Sequence, residues 1–141
     1  MSGLSFRRLN PDWNAEPNAP YVELRVEGST VELSFLLNPW AYDAEHGEMA
    51  TLRFSECSRF RWDATNDHAW FAGKGLYSSQ APEWGEFYEV TGDDRAVSER
   101  DWDVLAPDDP DSRHFVFYFR DETIEVVAKD WSLTRKMPDA R

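Results

Sequence analysis

Cysteine and long apolar runs are scarce in this chain of 141 residues. The single cysteine, Cys57, excludes an intrachain disulfide, and the sequence has no Cys-x-x-Cys pair of the kind that holds zinc. No apolar run approaches the ~20 residues that a membrane-spanning helix needs. Residues 1–13 also lack the apolar segment of a secretory signal. We therefore expect a cytoplasmic protein.

Positive charge is also in short supply, because 27 acidic residues stand against 15 Lys and Arg and the net charge is −12. Phosphate groups are bound through cations, so we expect neither nucleic acid nor an anionic membrane as a partner. The same charge would attract a basic protein over a long range. The alternative is that the acidic surface serves solubility alone.

Aromatic residues, by contrast, are abundant: they make up 15% of the chain, with nine Phe and seven Trp. Such side chains bury large areas, so even a short chain can build the core of one domain. The clearest pattern is apolar alternation on either side of a polar break at 120–122, in Phe115, Phe117, Phe119 and then Ile124, Val126, Ala128. Period two predicts a β-hairpin with one buried face.

Further strands are predicted from the same alternation. Residues 21–26 and 31–35 read as a hairpin around a turn at Gly28, and shorter strands are expected at 50–54, 59–62 and 86–90. Because turns rather than helices join these runs, the sheet should be mainly antiparallel.

One segment, Ser98–Leu105, has the features of a helix. Ser98 suits the N-cap, and Pro107 would end the helix soon afterwards. We therefore predict a mainly β, β-dominant α+β fold: an antiparallel sheet curled into a sandwich or open barrel, with one short helix near 98–105. The expected organisation is an irregular N-terminal arm at 1–20, a single domain at 21–134 and a frayed tail at 135–141.

The order of features from Arg53 to Trp131 resembles a group of small bacterial proteins to which no activity is attached. The matching pieces are RFSECSRFRW, NDHAWFAGKGLY, FYEV, the helix candidate and HFVFYFRDETIEVVAKDW. In the central loop the group reads Asn-Asp-Glu and later Gly-His-Pro, whereas this chain has Asn66-Asp67-His68 and Gly73-Lys74-Gly75. The resemblance supports the β-rich fold and implies no reaction.

A candidate pocket is indicated by two histidines with neighbouring carboxylates. Asp67 and His68 lie in the central loop, where the alternative is an ordinary Asn/Asp turn. His114 and Glu125 can meet across the C-terminal hairpin, either as a general base or as a stabilising cross-strand pair. Neither set has the spacing of a metal site, so we expect no metal, no cofactor and no catalytic residue.

A candidate binding surface combines loop aromatics with acids, in Trp40, Tyr42, Asp43, Glu45 and Trp84. Exposed aromatics act as anchors at protein interfaces, and the acids would suit a basic partner. The alternatives are that these aromatics cap the ends of the core and that the acids belong to a solvated loop.

These observations favour a non-enzymatic protein-binding module, of the immunity or antitoxin type, that neutralises a basic partner. The alternative is a small-molecule-binding protein or enzyme that uses a cavity in the curved sheet. A homodimer formed through an edge strand such as Tyr21–Val26 is a third expectation.

Overall fold

The described part of the chain is built from β-strands. In this computed structural model the described residues are 5–17, 20–40, 42–63, 85–91, 102–107, 109–119 and 122–137. They contain eight strands, namely β1 (Ser5–Arg8), β2 (Glu23–Glu27), β3 (Thr30–Leu36), β4 (Met49–Asp63), β5 (Phe87–Thr91), β6 (Asp103–Val104), β7 (Arg113–Tyr118) and β8 (Thr123–Lys136). No helix occurs among these residues, so they contain no helix that could cross a membrane.

All strand pairs in the described sheet are antiparallel. The strand order is β1-β5-β7-β8-β4-β3-β2, and β6 pairs with β4 beside this path. β1 and β2 are the two edges, so the sheet is not closed. The predicted mainly β, antiparallel architecture is confirmed. β3 buries every second residue, as its alternation predicted, whereas β7 and the first six residues of β8 are buried on both faces apart from Arg113.

The predicted hairpin of β2 and β3 has a two-residue loop. Glu27 pairs with Thr30, and Gly28 between them holds a φ of 61°. The primed turns that match the twist of a hairpin need such a positive φ, which glycine adopts without strain. Along β3 the buried residues alternate with partly exposed ones and include Val31, Leu33 and Phe35.

The two longest strands, β4 and β8, form the middle of the sheet, and β4 has an irregularity at its centre. β4 has Glu56 at a φ of 50°, and its register against β8 shifts between Cys57 and Arg59. These irregularities let Phe54, Cys57 and Phe60, which are three residues apart, all reach the same core. The sequence predicted two short strands here because alternation is lost at this irregularity.

The sheet curls strongly, as contacts between non-neighbouring strands show. Phe35 of β3 lies 5.3 Å, ring centre to ring centre, from Phe117 of β7, although β4 and β8 separate these strands in the sheet. Phe54 and Phe87 meet in the same way at 6.1 Å. Aromatic side chains therefore fill the concave face.

Part of the predicted arm is ordered against this core. Ser5–Arg8 pairs with β5 as an edge strand, and Trp13 is buried and stacks 5.8 Å from Phe35. The Asn10 side chain donates to a Glu86 carboxylate oxygen at 2.7 Å and accepts from the Phe87 backbone N–H at 3.1 Å. At the other end, β8 continues to Lys136, into the segment predicted as a frayed tail.

The predicted helix near 98–105 is not observed. Residues 98–101 lie outside the described residues, while Asp103–Val104 forms β6, which pairs with Arg59 and Phe60 of β4. The prediction relied on local signals, a capping serine and a downstream proline. The backbone hydrogen bonds available along β4 outweigh them, and the Leu105 and Ala106 N–H groups both donate to the Ser58 carbonyl.

Candidate functional site

A second buried layer covers the convex face of the sheet, opposite the aromatic core. Alternation places there every second residue of β7 and β8, namely His114, Val116, Tyr118, Thr123, Glu125 and Val127, and all six are buried. Two of these side chains, Val116 and Tyr118, form a small cluster with Tyr88 and Val90. The titratable ones, His114 and Glu125, therefore lie in an environment from which water is largely excluded.

Three charged or titratable side chains from three adjacent strands meet in this layer. The Glu125 carboxylate, 0% exposed, accepts hydrogen bonds from Arg61 of β4, at 2.5 Å from Nη2 and 3.1 Å from Nε. Its second oxygen lies 2.5 Å from Nε2 of His114 on β7. The register explains the meeting, because Arg61 is directly opposite Glu125 on the neighbouring strand.

Trp102 packs against this cluster. Its ring lies 4.5 Å from the Arg61 guanidinium carbon, 4.9 Å from that of Arg59 and 6.1 Å from the His114 ring. A guanidinium that stacks on an indole keeps favourable electrostatic contact where water is displaced. We refer to Arg59, Arg61, Trp102, His114 and Glu125 as the buried polar cluster.

The electrostatics of the cluster favour an ionised glutamate. Burial alone raises the pKa of the Glu125 carboxyl, but hydrogen bonds and charge from His114 and Arg61 outweigh it and hold the pKa below its usual range. An ionised carboxylate only accepts hydrogen bonds, so Nε2 of His114 carries the hydrogen in the contact with Glu125. The carboxylate thus fixes the imidazole, as it would in a general base.

Burial limits what this pair can do chemically. The His114 side chain is only 5% exposed, and its Nε2 is already bonded to Glu125. A general base must reach the proton that it removes. The arrangement is therefore better suited to holding β4, β7 and β8 in register than to attacking a substrate.

The structure brings together half of the predicted pocket. His114 and Glu125 meet as the hairpin predicted, whereas Asp67 and His68 lie outside the described residues. Arg61 and Trp102, which complete the cluster, were not among the pocket residues predicted from the sequence. A signal for Arg61 exists in the sequence, since Arg59 and Arg61 alternate with two aromatics along β4 and so share a face opposite Phe60.

Most of the predicted binding surface lies on one exposed loop. The acidic loop, residues 38–40 and 42–48, follows β3 and carries Trp40, which is 65% exposed. Asp43 and Glu45 are exposed beside a partly buried Tyr42, and the Trp40 ring meets that of His46 edge-to-face at 5.5 Å. Trp84, the remaining predicted member, lies outside the described residues.

The acidic loop is tied to the body by one buried carboxylate. Glu48 accepts hydrogen bonds from Arg135 of β8 at 2.8 and 3.3 Å and from the Glu45 backbone N–H at 3.0 Å. Arg135 also donates to the Asp43 carbonyl at 2.8 Å. The hydrogen bond from Arg135 is the main cause that holds the pKa of Glu48 below its usual range, and the bond from the Glu45 N–H adds to it. The loop is therefore presented in a defined shape.

A small cleft lies beside the irregularity of β4 at Glu56. It has a volume of about 160 Å³, and Lys129 lies in it, 2.9 Å from an Asp109 oxygen and 3.7 Å from a Glu56 oxygen. The opposite charges already satisfy one another, so the cleft offers no evident charge for a ligand. Within the described residues, no group of three or more His, Cys, Asp and Glu side chains is arranged to hold a metal ion.

Comparisons of the chain with protein-family models, with curated proteins and with solved structures found no match.

Proposed function

We propose that this protein is a non-enzymatic binding module whose acidic loop docks on a basic protein and neutralises it. The observation that carries the proposal is Trp40, a large apolar side chain that is 65% exposed on the loop that also carries the exposed acids Asp43 and Glu45. At protein interfaces tryptophan is among the residues that contribute most to binding.

The loop also has the order that tight binding needs. Association is weakened by the entropy lost when loops become fixed, and a loop already held in shape loses less. The Glu48–Arg135 hydrogen bonds supply that order here. Asp43 and Glu45 then supply negative charge around the anchor, and the overall charge of −12 would speed the approach of a cation-rich surface. We place this encounter in the cytoplasm.

The alternative, a ligand or substrate in the curved sheet, has weaker support. The concave face is filled by aromatic rings, with Phe117 and Phe119 stacked at 4.1 Å and Trp13 packed over Phe35. The His114–Glu125 pair lies on the other face and is buried. A polar pocket that opens to solvent beside that pair would favour the alternative.

The proposal is tested with untagged protein from its own host, by size-exclusion chromatography with light scattering, followed by identification of any basic polypeptide in the peak. Binding of the purified pair is then measured for the wild type, Trp40→Ala and the double variant Asp43→Asn/Glu45→Gln. We expect Trp40→Ala to weaken binding by about 2 kcal/mol, roughly 30-fold, as anchor residues do. The double variant should slow association and reduce its salt dependence.

Matched controls carry the same changes elsewhere on the surface. Asp103→Asn/Asp111→Asn removes the same charge at two exposed positions, and Val104→Ala truncates another exposed apolar side chain. Both should bind like the wild type. If no basic polypeptide accompanies the protein, or if Trp40→Ala binds as tightly as Val104→Ala, the acidic loop is not the docking surface.

A further inference from the structure

Among the described strands, none pairs with the outer side of the edge strand β2. In the described sheet it pairs only with β3, and its two-residue loop makes Glu27 and Thr30 exchange hydrogen bonds. Alternation then turns the backbone groups of Arg25 and Glu23 toward β3 as well. The N–H and C=O groups of Leu24 and Val26 therefore point away from β3, where another strand can bind them.

The side chains of β2 differ between its two faces. Val22 and Leu24 are partly buried against the core, and Val26, on the same face, is 41% exposed. Glu23, Arg25 and Glu27 are exposed on the opposite face. A strand that pairs with this edge must therefore offer apolar residues on one face and complementary charges on the other.

A second copy of β2 meets both requirements in one register. We propose that two copies of this chain pair antiparallel through β2 about a two-fold axis at Leu24. Leu24 then faces its own copy, and Val22 faces Val26 of the other copy on the apolar face. On the opposite face Glu23 lies across from Arg25 of the other copy, and the symmetry forms that ion pair twice.

The neighbouring registers are less favourable. An axis at Arg25 places two arginines opposite each other and Glu23 opposite Glu27, so like charges meet at three positions. An axis at Val26 retains an Arg25–Glu27 pair but sets Leu24 against the turn at Gly28. Charge thus disfavours the register centred on Arg25 and the turn disfavours the one centred on Val26, which leaves the register centred on Leu24; a one-residue slip would exchange the two faces.

The dimer should be weak, because five paired residues bury less than the ~1,200 Å² of a standard interface. Sedimentation velocity over a range of concentrations up to about 1 mM therefore suits it best. We expect the mass of the wild type to rise from 16.4 kDa toward twice that value as concentration increases. This proposal does not depend on the acidic loop.

Charge exchange tests the register. Glu23→Arg and Arg25→Glu should each raise the dimer dissociation constant at least about tenfold, because each turns two attractive pairs into repulsive ones. The exchange variant Glu23→Arg/Arg25→Glu should restore dimerisation. Asp103→Arg, the same charge reversal at an exposed position on β6, should dimerise like the wild type.

Backbone pairing is tested separately by Val26→Pro. Proline is tolerated on an edge strand where the lost N–H faces solvent, so the variant should fold, as its thermal unfolding will check. It should remain monomeric because the backbone hydrogen bond from the residue 26 N–H to the other copy of β2 is lost. A wild type that stays monomeric throughout, or a dimer unaffected by the charge variants and by Val26→Pro, would overturn the proposal.

Discussion

Replacing Arg61 with methionine tests whether the buried polar cluster stabilises the fold through its charges. Methionine is unbranched and has a similar reach, so it can still lie beneath Trp102. The Glu125 carboxylate, however, loses the hydrogen bonds from Arg61 at 2.5 and 3.1 Å, while the contact with His114 is retained. A fully buried carboxylate without its cation must either stay ionised at high cost or take up a proton.

The expected loss of unfolding free energy follows from leaving the Glu125 carboxylate buried without Arg61. Breaking a buried ion pair by removing one partner costs about 3–5 kcal/mol. That is a large share of the ~5–15 kcal/mol by which a domain is stable, so Arg61→Met should fold with a transition temperature lower by roughly 10–20 °C. Arg53→Met is the control on the same strand, since Arg53 is 56% exposed and lies 3.6 Å from Glu32. It should cost less than about 1 kcal/mol.

The pH dependence separates charge from packing. The folded pKa of Glu125 is lowered, so its contribution is present above the unfolded value near 4.5 and is lost as the pH falls through the folded pKa. The gap in unfolding free energy between wild type and Arg61→Met should therefore be widest near neutral pH and narrow in acid. Urea denaturation at several pH values measures it.

A second variant tests whether the unpaired charge of Glu125 causes the loss of stability. Arg61→Met/Glu125→Leu replaces the whole pair by apolar side chains and should be less destabilised than Arg61→Met alone, because no charge is left buried and unpaired. If Arg61→Met costs under about 1 kcal/mol, or if its cost does not change between neutral pH and acid, the ion pair does not hold these strands together.

Three further outcomes follow from burial and charge. Phe87→Ala should lower the unfolding free energy by about 3–5 kcal/mol in urea denaturation, because Phe87 is fully buried among aromatic rings. Cys57 should resist alkylation in the folded protein and react once the chain unfolds, since burial raises the pKa of its thiol to about 11; labelling followed by mass spectrometry checks this. Glu48→Gln should be less stable than the wild type near neutral pH, and the difference should vanish as the pH falls through the lowered pKa of Glu48, because protonation removes the same charge from the bond to Arg135. Urea denaturation in neutral and in acidic buffer measures that difference.

The local parts of the fold were predictable from the sequence, and the parts set by distant contacts were not. Alternation placed Phe115 and Phe117 on the core face because a strand buries every second residue. It failed at Glu56 and at the register shift beside Cys57, where a positive φ and an extra residue break the period. Within the described residues the helix predicted near 98–105 is not observed, because Asp103–Val104 pairs with a strand some forty residues earlier in the chain.

The same distinction holds for the buried polar cluster. His114 and Glu125 belong to one hairpin, so their meeting follows from a short turn and the predicted register. Arg61 joins them from a strand 64 residues away from Glu125, and only the strand order β7-β8-β4 brings it there. Sequence alternation could place Arg61 on the face opposite Phe60, but it could not say which strand would lie beside it.

The two proposed contact surfaces are compatible in space. β2 and β3 are antiparallel, so the acidic loop, which follows Leu36, lies near the beginning of β2 and not near its turn; the Leu36 N–H donates to the Pro20 carbonyl there. In a pair centred on Leu24, the beginning of one β2 lies beside the end of the other, and the two acidic loops fall at opposite ends of the ladder. Three residues of strand separate each loop from the axis, so the loops are on the order of 20 Å or more apart.

A dimer would thus present two Trp40 anchors at once, and a basic partner able to engage both would bind more tightly than one that engages a single loop. Glu23→Arg, which should disrupt the dimer without touching the loop, would then weaken binding of such a partner while Trp40→Ala would weaken binding of either kind.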